Sequence, residues 1–368
     1  MQCRARLEAV RNQVTRFGKL RRMNHGMMLS LSNLLTRSRR ITPAFYRAMS
    51  LAREIPVFSD VASYRVWRQS AFRREESVGL VPTMGALHVG HLDLVRKSLA
   101  ANDHTIVSIF VNPAQFAPHE DFSSYPRTLP SDLAALATLV SAESESESLQ
   151  VLVPQTADMY PTGISQDTAQ QRGAFVALDG LTGTMEGAAR PHFFRGVATV
   201  VCKLFNAVQP TRAYFGQKDI QQALLLRRMA QDLLMTLPSA ENVRIVRTTR
   251  AEDGLALSSR NAYLSEKERA HATVLYRALT AGANAARPLE AAQGVVQEAV
   301  DRAKQDGVDM RPEYISVNDP ETFEEISDDK FERLADKKSV MVISGAVWVG
   351  KTRLIDNLIL GDVTSIVN

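Results

Sequence analysis

Two apolar runs, VGLV at 78–81 and TIVSIFV at 105–111, flank one amphipathic stretch whose apolar residues Leu92, Val95 and Leu99 recur at helical spacing. Pro82 and Gly85 turn the chain between the first run and that stretch. The pattern predicts a strand over 77–83, a helix over 88–101 and a strand over 105–111, a βαβ unit of about 35 residues of the kind that builds a parallel sheet. A helix over 58–74 precedes it. The alternation continues with helices over 131–141, 196–208 and 219–234 and strands over 150–153, 212–216 and 242–246. The predicted fold is α/β, a Rossmann-like doubly wound parallel sheet, in which ligands bind beyond the carboxyl ends of the strands.

After residue 252 the texture changes. Helices over 265–286 and 288–305 precede strands over 312–317 and 339–345, which predicts a second, smaller α/β domain. The expected division is a basic extension over 1–50, a Rossmann-like domain over 51–252, and a C-terminal domain over 253–368 that closes over the active site. The segment RTTRAEDGLALSSRNAYLS (247–265) lies at the junction, where ligand sites concentrate. Two polar stretches, SAESESESLQ (141–150) and SQDTAQQRGA (165–174), read as solvated loops.

Charge is distributed unevenly. Residues 1–40 hold ten of the 44 Lys and Arg against one of the 40 acids, Glu8, leaving the remaining chain with 34 basic and 39 acidic residues. The formal net charge of +4 is therefore set by the leader. An Arg-rich, acid-poor leader with serines and leucines fits a mitochondrial presequence, and an untargeted basic extension of a cytoplasmic protein is the alternative. The leader lacks aromatic interleaving, so no nucleic-acid partner is expected. The absence of any run of about 18 apolar residues excludes a membrane-spanning helix. With Cys3 and Cys202 as the only cysteines, a disulfide framework and a multi-cysteine metal site are excluded as well.

The chemistry starts where the first strand meets its helix, in VPTMGALHVGH (81–91). A helix N-terminus gathers unpaired N–H groups and positive dipole, which makes it a phosphate site. His88 and His91 are three apart and share one face of the first turn, and Gly90 between them leaves the backbone open to a nucleotide. This H-x-G-H pattern points to nucleotidyl transfer; two surface histidines or a metal pair are the plainer alternatives. Four segments join it: SIFVNPAQFAPHEDFSSYPR (108–127) with the amides Asn112 and Gln115, HFFRGVATVVCKLFNAVQP (192–210), YFGQKDIQQ (214–222) with Lys218, Asp219 and Gln222, and LSSRN (257–261) with two hydroxyls and a guanidinium.

Together PTMGALHVGH, FVNPAQF with EDFSSYPR, FGQKD-QQ and DGLALSSRN resemble, in order and spacing, the signatures of the pantoate–beta-alanine ligase family, over roughly residues 51–360. The resemblance implies an AMP-forming ligase: pantoate's carboxylate attacks the α-phosphorus of ATP, and the amine of beta-alanine then displaces AMP from pantoyl adenylate. It implies an ATP site of Met84, Gly85, Ala86, Leu87, His88, Val89, Gly90, His91, Gly216, Gln217, Lys218, Asp219, Thr249, Leu257, Ser258, Ser259 and Arg260. His91 matches the family's proton donor; His88, Lys218 and Arg260 complete the catalytic set. Gln115, Gln222 and Asn112 match the substrate side, and Asp219 suits a ribose hydroxyl. Magnesium is expected on the phosphates of ATP, without a protein metal site, and a homodimer is implied. Another H-x-G-H nucleotidylyltransferase acting on a small acid or phosphate is the alternative.

Two departures stand out. The family usually has Glu at Gln217, and RPHFFRGV (190–197) replaces the usual RPGHFRGV, putting His192 in place of glycine and Phe193 in place of histidine. Residues 345–352, GAVWVGKT, also satisfy the P-loop pattern, with TRLIDNLIL behind them reading as helix. The bulky spacers Ala346-Val347-Trp348-Val349 read as strand and argue against a phosphate cradle.

Overall fold

The computed structural model describes residues 55–118, 120–140, 148–335 and 339–367. The basic extension and most of the acidic stretch at 141–150 lie outside these residues. β1 (Val57–Phe58) leads into α1 (Val61–Arg73), whose first turn is capped by Asp60, its Oδ1 accepting from Ser63 N at 2.7 Å. Then follow β2 (Val78–Thr83), α2 (Val89–Leu99), β3 (His104–Ile109), α3 (Leu129–Ala137), β4 (Leu149–Leu152), α4 (Phe193–Val208), β5 (Arg212–Gly216), α5 (Ile220–Asp232) and β6 (Val243–Val246). The predicted helix over 58–74 thus begins three residues late, because Val57 and Phe58 pair with Val151 and Leu152.

These strands form one parallel sheet in the order β1-β4-β3-β2-β5-β6. Side chains alternate across it: Leu80 and Ile106 face a core shared with α1, α4 and α5, while Val81 and Val107 face one shared with α2 and α3. The sheet is doubly wound. After β2 the chain builds outward through β3 and β4, then returns to place β5 on the other side of β2, so the order reverses between β2 and β5. A crevice opens at that switch point beyond the carboxyl ends of the strands. The segments carrying His88 and Lys218 both emerge there.

The second sheet is antiparallel: β7 (Met310–Asn318), β8 (Met341–Val349) and β9 (Thr352–Leu360), in that order. Helices α6 (Val274–Ala283) and α7 (Pro288–Gln305) pack on it around Leu275, Leu279, Val296, Ile343 and Val347. The helix expected over 265–286 is broken into Glu266–His271 and α6. The helix expected after the P-loop pattern is instead a strand. Val349 pairs directly with Thr352, so Gly350-Lys351 is a two-residue hairpin turn, with φ of +58° at Gly350. GAVWVGKT is therefore strand, turn and strand, with Thr352 buried in a ladder and no helix N-terminus to receive a phosphate.

Candidate active site

The loop from β2 to α2 is bent by two left-handed residues, Gly85 at φ +83° and Ala86 at φ +50°. A non-glycine residue adopts that conformation only when its surroundings hold it there. The buried carboxylate of Asp132 on α3 does so, accepting from Ala86 N at 3.2 Å and Leu87 N at 2.8 Å, with Thr128 Oγ1 donating to it from behind. No motif flagged Asp132, because it lies 46 residues downstream of Ala86 in a stretch read only as helix.

His88 is the N-cap of α2. Gly90 N donates to His88 Nδ1 at 3.1 Å, and His88 N to His91 Nδ1 at 3.4 Å. A Cβ on Gly90 would meet the His88 ring at 2.9 Å, so glycine is what lets the imidazole fold over the helix end. With both Nδ1 atoms accepting, each neutral ring carries its proton on Nε2. Burial, with the nearby Lys218 charge adding to it and Asp219 opposing, pulls His88 down to about 4. Burial, then His88 and Lys218, bring His91 down to about 3. Both rings are thus neutral N–H donors near pH 7, and Lys218 and Arg260 are among the basic side chains lining the same cavity.

Lys218 sits in the turn Gln217–Asp219 between β5 and α5, its Nζ 3.6 Å from Asp219 Oδ1. Thr249 Oγ1 donates to Asp93 on α2 at 2.7 Å and Thr249 O accepts from Leu257 N, which ties the 249–260 segment to the histidine helix. Ser258 caps the turn Ser259–Tyr263, and Arg260 Nη2 lies 3.4 Å from Asp121 Oδ1.

On the third side, beyond β3, Asn112 is 1% exposed and its amide is fully engaged. Nδ2 donates to Gln115 Oε1 and Gly196 O, while Oδ1 accepts from Ala114 N and Tyr160 OH. Asn112 therefore holds Gln115, whose Nε2 donates to Met84 Sδ at 3.1 Å, and has no proton left for a ligand. The Gln222 amide on α5 makes no hydrogen bond within the described residues. At the departure RPHFFRGV, Phe193 forms part of the cavity wall, with the Arg190 guanidinium 3.8 Å above its ring centroid. Arg190 forks onto Glu120 at 2.8 Å and donates to Gln115 O at 3.2 Å. His192 is exposed and does not line the cavity.

These sides line a partly open cavity of about 980 Å³. It brings together Met84, His88, Gly90, His91, Asn112, Gln115, Gly216, Lys218, Asp219, Gln222, Thr249, Leu257, Ser258, Ser259 and Arg260. Gly85, Ala86, Leu87, Val89 and Gln217 do not line it: Gly85 N donates to Thr83 Oγ1, Ala86 and Leu87 are held by Asp132, Val89 is half exposed, and Gln217 is buried.

A family model described as pantoate-beta-alanine ligase matches residues 56–359. The chain belongs to the pantoate–beta-alanine ligase family. Among relatives of that family, the pantothenate synthetase of Herpetosiphon aurantiacus is 46% identical over 293 residues, covering 79% of this chain and 96% of the relative. The pantoate–beta-alanine ligase of Saccharomyces cerevisiae is 41% identical over 322 residues, covering 83% and 99%. The crystal structure of pantothenate synthetase from Thermus thermophilus superposes with a TM-score of 0.66 at 39% identity, covering 83% of this chain and 99% of that one. The Francisella tularensis ligase, solved with beta-gamma ATP and beta-alanine, superposes with a TM-score of 0.62 at 28% identity, covering 83% and 97%. The family's two-domain α/β fold is the fold described above.

Proposed function

We propose that this chain condenses pantoate with beta-alanine in an ATP-dependent, AMP-forming ligation through pantoyl adenylate. Family membership supports the activity. The observation that carries the mechanism is the pair of neutral, Nε2-protonated histidines at the start of α2, facing Lys218 inside a cavity that also contains Gln115 and Gln222.

In the first half-reaction a carboxylate oxygen of pantoate attacks the α-phosphorus, and the bond to pyrophosphate breaks. Charge builds on the bridging oxygen, and preorganised donors aimed at that charge lower the barrier. His88 and His91 offer Nε2–H donors, Lys218 and Arg260 offer positive charge, and Ser258 and Ser259 offer hydroxyls. The backbone of the Met84–Val89 loop and the segment Gly216, Lys218, Thr249 and Leu257 shape the nucleotide's berth, with Asp219 at the ribose. Gln115 and Gln222 hold pantoate, and Asn112 acts by fixing Gln115. ATP brings magnesium on its phosphates. In the second half-reaction the amine of beta-alanine attacks the acyl carbon and AMP leaves, a far better leaving group than oxide.

The same proposal includes a division at 252/253 with the smaller domain closing over the cavity, and a homodimer, which a solution mass of two chains would support. It also includes a cytoplasmic location, or a mitochondrial one if the basic leader targets the chain. No helix among the described residues is long and apolar enough to cross a membrane. The test is incubation with ATP, magnesium, pantoate and beta-alanine. AMP release that requires both acids supports the ligase, whereas an adenylylated product that is released and persists with beta-alanine present, without AMP, favours the nucleotidylyltransferase alternative.

A further inference from the structure

The segment TRLIDN, left without a role by the failure of the P-loop pattern, reaches the site from the second sheet. Its Asn357 is 1% exposed and its Asp356 4% exposed. Asn357 Nδ2 donates to Gln217 O at 2.8 Å and to Lys218 O at 2.9 Å, and Asn357 Oδ1 accepts from Gln217 Nε2 at 3.3 Å. Two carbonyls can only accept, so the amide orientation follows from the network itself. These carbonyls belong to the peptide planes on either side of the Lys218 Cα. Fixing both planes fixes the two soft backbone dihedrals of Lys218, and with them the direction of its Cα–Cβ bond.

Asn357 is itself braced. Its N–H donates to Asp356 Oδ1 at 2.8 Å, and Asp356 receives both arms of Arg250 at 2.5 and 2.9 Å. Arg250 lies in the segment that carries Thr249 and Ser258, and it also donates to Gly254 O at 3.1 Å. Asp356 and Asn357 are laddered to Gly345 and Ser344 of β8. One rigid dipeptide of the small sheet therefore touches both segments proposed to bind the triphosphate.

We infer that Asn357 is a positioning residue for adenylylation, acting through Lys218 with Asp356 as its brace. The inference rests on the proposed role of Lys218. The test is a double-mutant cycle between Asn357→Ala and Lys218→Ala, read as pantoate-dependent exchange of pyrophosphate with ATP, with thermal unfolding to establish folding. In the parent background, Asn357→Ala slows exchange by roughly ten- to hundredfold, the range for two lost hydrogen bonds. In the K218A background the further loss is under about threefold, because the group being positioned is gone. Asn357→Ser, which keeps one donor, falls between and carries the cycle if the alanine variant does not fold. Equal losses in both backgrounds, or no loss in the parent, would overturn the inference. K218A as active as the parent overturns the role of Lys218 and the inference with it, and exchange independent of pantoate overturns the proposed function itself.

Discussion

Asp132→Asn isolates the loop that presents the histidines. The carboxylate accepts from two consecutive backbone N–H groups, Ala86 and Leu87, at 3.2 and 2.8 Å. An amide of the same shape turns one acceptor into a donor facing a donor. A hydrogen bond to a charged group is worth about 1.5–3 kcal/mol, and the left-handed Ala86 adds roughly 1–2 kcal/mol of strain that the lost contact no longer offsets. Released by about 2 kcal/mol, the loop would hold His88 and His91 in place in about a thirtieth of molecules, so exchange falls by about ten- to hundredfold. The assay is pyrophosphate–ATP exchange with saturating pantoate, beside thermal unfolding of the same samples. Thr128→Val removes only the donor behind the carboxylate and costs less. Exchange within about threefold of the parent in a folded Asp132→Asn protein would refute the claim that Asp132 shapes the site.

Two further outcomes follow from the histidines. His91→Ala loses about 3 kcal/mol of transition-state stabilisation, on the order of a hundredfold in exchange rate, with ATP affinity little changed; near-normal turnover would remove His91 from the mechanism. Since His88 and His91 are held at about 4 and about 3 when folded and return to about 6.5 when unfolded, the unfolded chain binds more protons between those values. Stability is then fully present above about 6.5 and falls as pH drops toward 4, and His91→Asn flattens that slope in melting temperatures measured from about pH 4 to 7. An unchanged slope contradicts the burial argument.

Local pattern made the first sheet legible. The βαβ signal from 78 to 109 is strong because both strands are buried on two faces and read as unbroken apolar runs. β9 was not legible: Leu354, Ile355, Leu358 and Ile359 fall at helical spacing, and only pairing with β8 across the Gly350-Lys351 turn makes the segment a strand. At the site, residues within motifs were readable, since H-x-G-H fixes its own local geometry. Asp132, Asp93, Arg190 and Asn357 were not, because each acts on a backbone or side chain 45 to 156 residues away, a distance no spacing rule covers. Asn112 is the reverse case. Its motif marked it for the substrate side, and the long-range partners that orient its amide, Gly196 and Tyr160, were not readable from that motif.

The central claim is that adenylylation of pantoate precedes and is independent of amine attack. Labelled pyrophosphate incubated with enzyme, ATP, magnesium and pantoate tests it directly. Label should enter ATP without beta-alanine, and little free AMP should appear until beta-alanine is added, since the proposed closing of the smaller domain shields the adenylate from water. Exchange that required beta-alanine would contradict the two-step order, and exchange that required no carboxylic acid would contradict the ligase itself.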